Sequence, residues 1–95
     1  MAVYHDTYTV GTTATLIAEI PAKNPLTAVT VFNDDNSAIF VGDSTVATTG
    51  THRGVQISKS TVASILWLNA GDKLYAISAA GTAANTVSVL YSGVF

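Results

Sequence analysis

The segment TVSVLYS, residues 86–92, carries the pattern that most restricts how this chain can fold. Val87, Val89 and Tyr91 alternate with Ser88, Leu90 and Ser92, and a period of two sends the two sets to opposite faces of an extended strand. Short runs of β-branched and aromatic residues recur along the whole chain, divided by clusters of Gly, Asn, Asp and Pro. This pattern predicts an all-β domain, a single small β-sandwich or a jelly-roll-like barrel.

About seven strands are expected, over residues 13–20, 28–33, 38–41, 54–58, 64–68, 73–78 and 86–92. Alternation assigns Leu16 and Ile20 to one face of the first run, and Val29 and Val31 to one face of the second. With Val41, Leu74, Val87 and Val89 they form the expected core. The run SILWL does not alternate, so both of its faces are expected to be covered, with Trp67 in the core or at a subunit contact. Two prolines make residues 21–25, PAKNP, a loop. Three short polar or glycine-containing segments, NDDNS (33–37), NAGDK (69–73) and AAGTAAN (79–85), read as hairpin turns. Residues 59–64, KSTVAS, could hold one weak helical turn, and STVATTGTHRG (44–54) reads as an irregular connection. The domain proper is thus expected over residues 13–95, preceded by residues 1–12 as an N-terminal arm or a first edge strand.

Composition bears on partners. The chain of 95 residues is 48 % hydrophobic but only 11 % charged, against about 25 % charged in ordinary soluble domains. A domain this small cannot bury all of its apolar residues, so its surface must combine small uncharged side chains with apolar ones. Such a surface suits permanent contact with other subunits. The net charge is −2 and the four cations, Lys23, Arg53, Lys59 and Lys73, are scattered. That excludes the clustered basic footprint needed to displace counterions from nucleic acid. No apolar run approaches the roughly 20 residues of a membrane-spanning helix, and MAVYHDTYTV lacks the basic n-region and apolar stretch of a signal peptide. With no cysteine, neither disulfides nor thiolate metal sites are available.

One tripeptide suggests catalysis: Gly42-Asp43-Ser44 also opens the nucleophile block of a large hydrolase family. That chemistry needs a helix behind the serine and an Asp-x-x-His base. The residues three before His5 and His52 are Ala2 and Thr49, and nothing after Ser44 has helical periodicity, so Gly42-Asp43 reads as a turn. Asp34, Asp35, Asn36 and Asp43 match no calcium-loop spacing, and no cofactor is expected. The scattered aromatic residues leave a glycan-binding groove as the alternative function.

The blocks LTAVTVFNDDNSAIFVGDSTVATTG and LWLNAGDKLYAISAAGTAANTVSVLYSGVF together resemble small tailed-bacteriophage virion proteins of β-sandwich type, over residues 26–95. The resemblance implies a non-enzymatic head decoration or minor capsid protein on the virion's capsid surface. It implies the major capsid protein as partner and a homo-oligomer, with a trimer favoured. Candidate contacts with capsid or neighbouring subunits are Tyr4 and Tyr8 in the N-terminal segment, and Thr45, Thr48, Thr49, Thr51, His52 and Arg53 in the uncharged Thr/Gly connection and its end.

Overall fold

In a computed structural model, residues 2–33, 37–58, 63–78 and 85–93 are described. They form eight strands: β1 (Ala2–Val10), β2 (Thr15–Glu19), β3 (Thr27–Asn33), β4 (Ile39–Gly42), β5 (Val55–Ile57), β6 (Ser64–Leu68), β7 (Lys73–Ser78) and β8 (Asn85–Gly93). Two four-stranded antiparallel sheets result, ordered β1-β8-β3-β6 and β2-β7-β4-β5. The chain crosses between the sheets at most connections, which gives the jelly-roll arrangement of the β-sandwich class. The eighth strand beyond the seven runs is β1, whose sequence AVYHDTYTV is more polar than the others. The expected turns at NDDNS and AAGTAAN, the helical turn at KSTVAS, and Asp34, Asp35 and Asn36 fall largely or wholly outside the described residues.

Alternation builds the core. Val29 and Val31 on β3, Val87 and Val89 on β8, Val41 on β4, and Leu74 and Ala76 on β7 point inward and are buried, as are Val10 and Ile20. Two core assignments are corrected. Leu16 is 37 % exposed while Ile17 is fully buried, because the register of β2 against β7 shifts between Leu16 and Ala18. A bulge there places Ile17 and Ala18 both inward and turns Leu16 out. Trp67 is 64 % exposed. β6 is an edge strand, so Ser64, Leu66 and Leu68 face the interior while Ile65 and Trp67 face out; the run alternates after all, its outward positions being apolar.

One end of the sandwich is closed by polar side chains. Asn33 on β3 donates from Nδ2 to the carbonyls of Ser37 (2.9 Å) and Ile57 (3.0 Å). Asn85 on β8 donates to Asn33 Oδ1 (3.1 Å) and to the Ser37 carbonyl (2.7 Å), and accepts from Ser78 Oγ (2.6 Å). The three side chains are almost fully buried and tie the first sheet to β5 and β7 of the second. Among the described residues no buried side-chain nitrogen or oxygen lacks a hydrogen-bond partner.

Gly54 sits where β5 leaves the connection after β4. A Cβ there would meet the Val41 carbonyl oxygen and Val46 Cγ2, each at 2.5 Å. Gly54→Ala is therefore expected to lower stability by about 1–3 kcal/mol, read as a fall in the urea midpoint. An unchanged midpoint would show that β4 and β5 can spread freely.

Candidate functional site

The sequence-derived contact residues fall into two groups that the fold keeps apart. Tyr4 and Tyr8 lie on β1, at one edge of the first sheet, and point toward the sandwich rather than away from it. Their hydroxyls are 2.9 Å apart, and the Tyr4 ring stacks against Tyr91 with centroids 4.9 Å apart at 36°. Tyr91 in turn donates to the Glu19 carbonyl at 3.1 Å, which links β8 to β2 across the gap between the sheets. With Leu16, Ala18 and Pro21 these tyrosines line an open groove of about 390 Å³. Burial, reinforced by the Tyr4 hydroxyl, pushes the Tyr8 phenol well above its ordinary range.

The second group follows β4, toward the opposite edge of the second sheet. The segment 43–54 is folded back on itself: Ala47 N–H donates to the His52 carbonyl and Gly54 N–H to the Ala47 carbonyl, both at 3.0 Å. Gly50 turns the tip with φ of 84°, a conformation that favours glycine. Val46 anchors the segment, buried against Gly42 and Gly54. Thr45, Thr49, Thr51, His52 and Arg53 are exposed, and Thr48 is half-buried. Arg53 is not a free cation: its guanidinium lies 5.2 Å from the Phe40 ring centre and donates to Gln56 Oε1 at 3.1 Å. Phe40 points out of the second sheet, in register with Gln56 and Ile77, yet is only 6 % exposed. Arg53 helps to cover it.

The Gly-Asp-Ser tripeptide is a turn. Asp43 Oδ1 accepts from Thr45 N–H at 2.9 Å and Thr45 Oγ1 at 2.6 Å, and Val46 N–H closes onto the Asp43 carbonyl at 3.0 Å. These bonds to Thr45 hold the Asp43 carboxyl below its usual range. His52 Nδ1 lies 3.4 Å from Thr45 Oγ1, so the imidazole is aimed at the turn threonine rather than at Ser44. Among the described residues no three His, Asp or Glu side chains come close enough to hold a metal ion.

A third surface was touched by the sequence reading only through Trp67, offered there as a core residue or a subunit contact. Register places Val3 and His5 of β1, Leu90 of β8, Thr30 and Phe32 of β3, and Ile65 and Trp67 of β6 on the outer face of the first sheet. Val3, Ile65, Trp67 and Leu90 are exposed there, and exposed Leu26 immediately precedes β3. None of the strand residues on this face is Asp, Glu, Lys or Arg. The outer face of the second sheet differs, with Glu19 opposite Lys73. The legible signal was Leu90, the one large apolar residue among the outward positions of TVSVLYS.

No family model matches the chain, and no curated protein matches it. Among solved structures it is similar to a protein of Bacillus endospore appendages, described as a novel family of disulfide-linked pili. The TM-score is 0.57 and the identity 13 %, over 99 % of this chain and 87 % of the other. At that identity the likeness is one of fold, and it covers the whole β-sandwich.

Proposed function

We propose that this chain is a non-enzymatic structural subunit of an ordered protein assembly, and that the assembly is a phage virion on which it decorates or cements the head. The observation that carries the reading is the outer face of the first sheet, where exposed Val3, Ile65, Trp67 and Leu90 stand among Thr and Ser side chains and no strand residue is Asp, Glu, Lys or Arg. An exposed apolar patch of this kind marks a contact with protein rather than with water. In this reading the major capsid protein and further copies of the chain are the partners, and nucleic acid and membrane are not. The segment 43–54 is the contact to the shell, since Thr45, Thr49 and Thr51 present hydroxyls on a tip anchored by Val46. Ser44→Ala has no activity to remove, and an ester substrate should be turned over at the same background rate by both forms.

A second reading, a pilus-like subunit that polymerises into a filament, is favoured by the fold likeness alone. The relative's filaments are disulfide-linked, whereas this sequence has no cysteine, so any polymer here would rest on non-covalent contacts. Glycan binding is less well served: Trp67 is an exposed platform, but its register partner is Ala28 and its outward neighbour on β6 is Ile65.

Electron microscopy of purified particles carrying a gold-labelled tag on this chain tests the proposal. Label over heads is expected. Label along filaments selects the pilus-like reading, and absence from every particle overturns both. Thr49→Glu with Thr51→Glu, which charges the tip without touching the core, should reduce head occupancy at least about tenfold, equivalent to roughly 1.4 kcal/mol; unchanged occupancy would remove segment 43–54 from the contact.

A further inference from the structure

We infer that the outer face of the first sheet pairs with the same face of a second copy, about a two-fold axis beside Thr30, seating Trp67 of each copy in a depression over Ser88 of the other. The inference deepens the structural-subunit reading by naming the occupant of its uncharged face.

A partner bringing a charged side chain onto this face would strip it of water, and the strand residues there offer no counter-charge. The partner surface must therefore be uncharged and apolar as well. Of the two broad faces of this molecule, the first sheet's own outer face meets that condition. The second, with Glu19 and Lys73 in register and Arg53 over Phe40, does not.

The face is uneven: Trp67 and Ile65 stand up along the β6 edge, 64 % and 62 % exposed, whereas β8 presents Thr86 and Ser88 beside Leu90. Between β1 and β3 lies a depression of about 290 Å³, lined by His5, Thr7, Thr30, Phe32, Ser88 and Leu90 and also by the register pair Asp6 and Val89, which belongs to the inward set of β1 and β8. That is at the bottom of the range of small-molecule pockets, about 300–1,000 Å³, and suits one large side chain. It is also mostly apolar with a few hydroxyls, and the Ser88, Thr7 or Thr30 hydroxyl can accept the indole N–H, which needs a partner once buried.

Trp67 is opposite Ala28 and Ser88 is opposite Phe32, on the two strands that flank β3. Thr30 is two residues from each and so lies at the midpoint of the line from Trp67 to Ser88. With strands about 4.8 Å apart and a rise of about 3.3 Å per residue, that line is roughly 16 Å long. A two-fold axis lying in the face and passing beside Thr30 exchanges ridge and depression in both directions at once, as an isologous contact requires. The strands of the two copies then cross steeply, nearer the orthogonal than the aligned way of stacking sheets. The molecule measures 38 × 28 × 17 Å, so a broad face offers up to roughly 1,000 Å², enough for the ~800 Å² per partner of a stable interface.

Native mass spectrometry and sedimentation equilibrium of the full chain test this. The wild type is expected to be a dimer, and Trp67→Ser, which alters an exposed side chain and leaves the core intact, should weaken association at least about 100-fold. Because the two Thr30 side chains meet at the axis, Thr30→Asp and Thr30→Lys should each be monomeric alone, and an equimolar mixture should recover a 1:1 heterodimer. A wild type that is monomeric or trimeric, a dimer indifferent to Trp67→Ser, or a mixture that stays monomeric overturns the pairing. The two proposals fail separately: gold-labelled heads with a monomeric or trimeric protein would remove the pairing alone, whereas a dimer absent from every particle would remove the virion and pilus-like settings and leave the pairing standing.

Discussion

Deleting residues 1–10 is expected to abolish cooperative folding. β1 pairs with β8 at nine consecutive positions, from Ala2 opposite Gly93 to Val10 opposite Asn85. Its inward side chains, Tyr4, Tyr8 and Val10, cover Tyr91, Val87 and Val89, and Val10 is fully buried. Burial of Val10 alone is worth about 1.5–3 kcal/mol, and exposing the cluster beneath β1 adds to that loss. The sum approaches the ~5–10 kcal/mol that a domain of this size has to lose. Urea unfolding followed by tryptophan fluorescence and far-UV circular dichroism checks it. The truncated chain should show no sigmoidal transition, and a transition with the wild-type midpoint would mean that the sandwich closes without β1. Shell attachment cannot then be probed by removing this segment, and point changes in 43–54 are the cleaner instrument.

Asn85→Ala is expected to cost about 2–4 kcal/mol. It removes two donated bonds and one accepted bond at a buried site, so that Asn33 Oδ1, the Ser37 carbonyl and Ser78 Oγ each lose one hydrogen bond, the Ser37 carbonyl keeping that from Asn33 Nδ2. Asn85→Asp is the isosteric comparison, because it puts a carboxyl where Nδ2 faces two acceptors, the Ser37 carbonyl and Asn33 Oδ1. Only the protonated carboxyl can donate there, so the folded state holds the proton more tightly than the unfolded chain. The folded protein then binds more protons, and stability falls as pH rises above the unfolded value of about 3.9. Urea midpoints of Asn85→Asp should therefore drop between about pH 4 and pH 7 relative to wild type. A parallel pH dependence in the two proteins would show that water relaxes the site.

The legible part of this structure is the part governed by local alternation. Val29 and Val31, or Val87 and Val89, declare their faces within a few residues, since a one-residue slip would expose every one of them. Leu16 could not be placed in the same way. The bulge at Ile17 is a property of the pairing between β2 and β7, and nothing within TLIAEI distinguishes an even strand from one with an extra residue. The core placement of Trp67 failed for a related reason. In SILWL every residue but the first is apolar, so the period of two is invisible until the topology makes β6 an edge whose outer side has no covering layer. Thr45, Thr48, Thr49, Thr51, His52 and Arg53 do lie on one connection, but their conformation depends on Val46 docking between Gly42 and Gly54, a tertiary contact. Asn33 and Asn85 carried no sequence signal, because an asparagine before or after a turn is ordinary and only their mutual approach across 52 positions makes them a buried link.

The pairing of Ala2 with Gly93 has a practical reach. Both ends of the described chain leave the molecule side by side, a few ångströms apart, at the start of β1 and the close of β8. A short linker would therefore span them, and new ends could be opened at the glycine tip around Gly50, where the backbone is exposed. The strand that comes first in sequence would then enter the sheet directly after its neighbour β8, as one hairpin. Whatever is joined to the chain before Ala2 or after Gly93 would start from the same corner of the sandwich, and on a repeating lattice every copy would offer that corner at a fixed spacing.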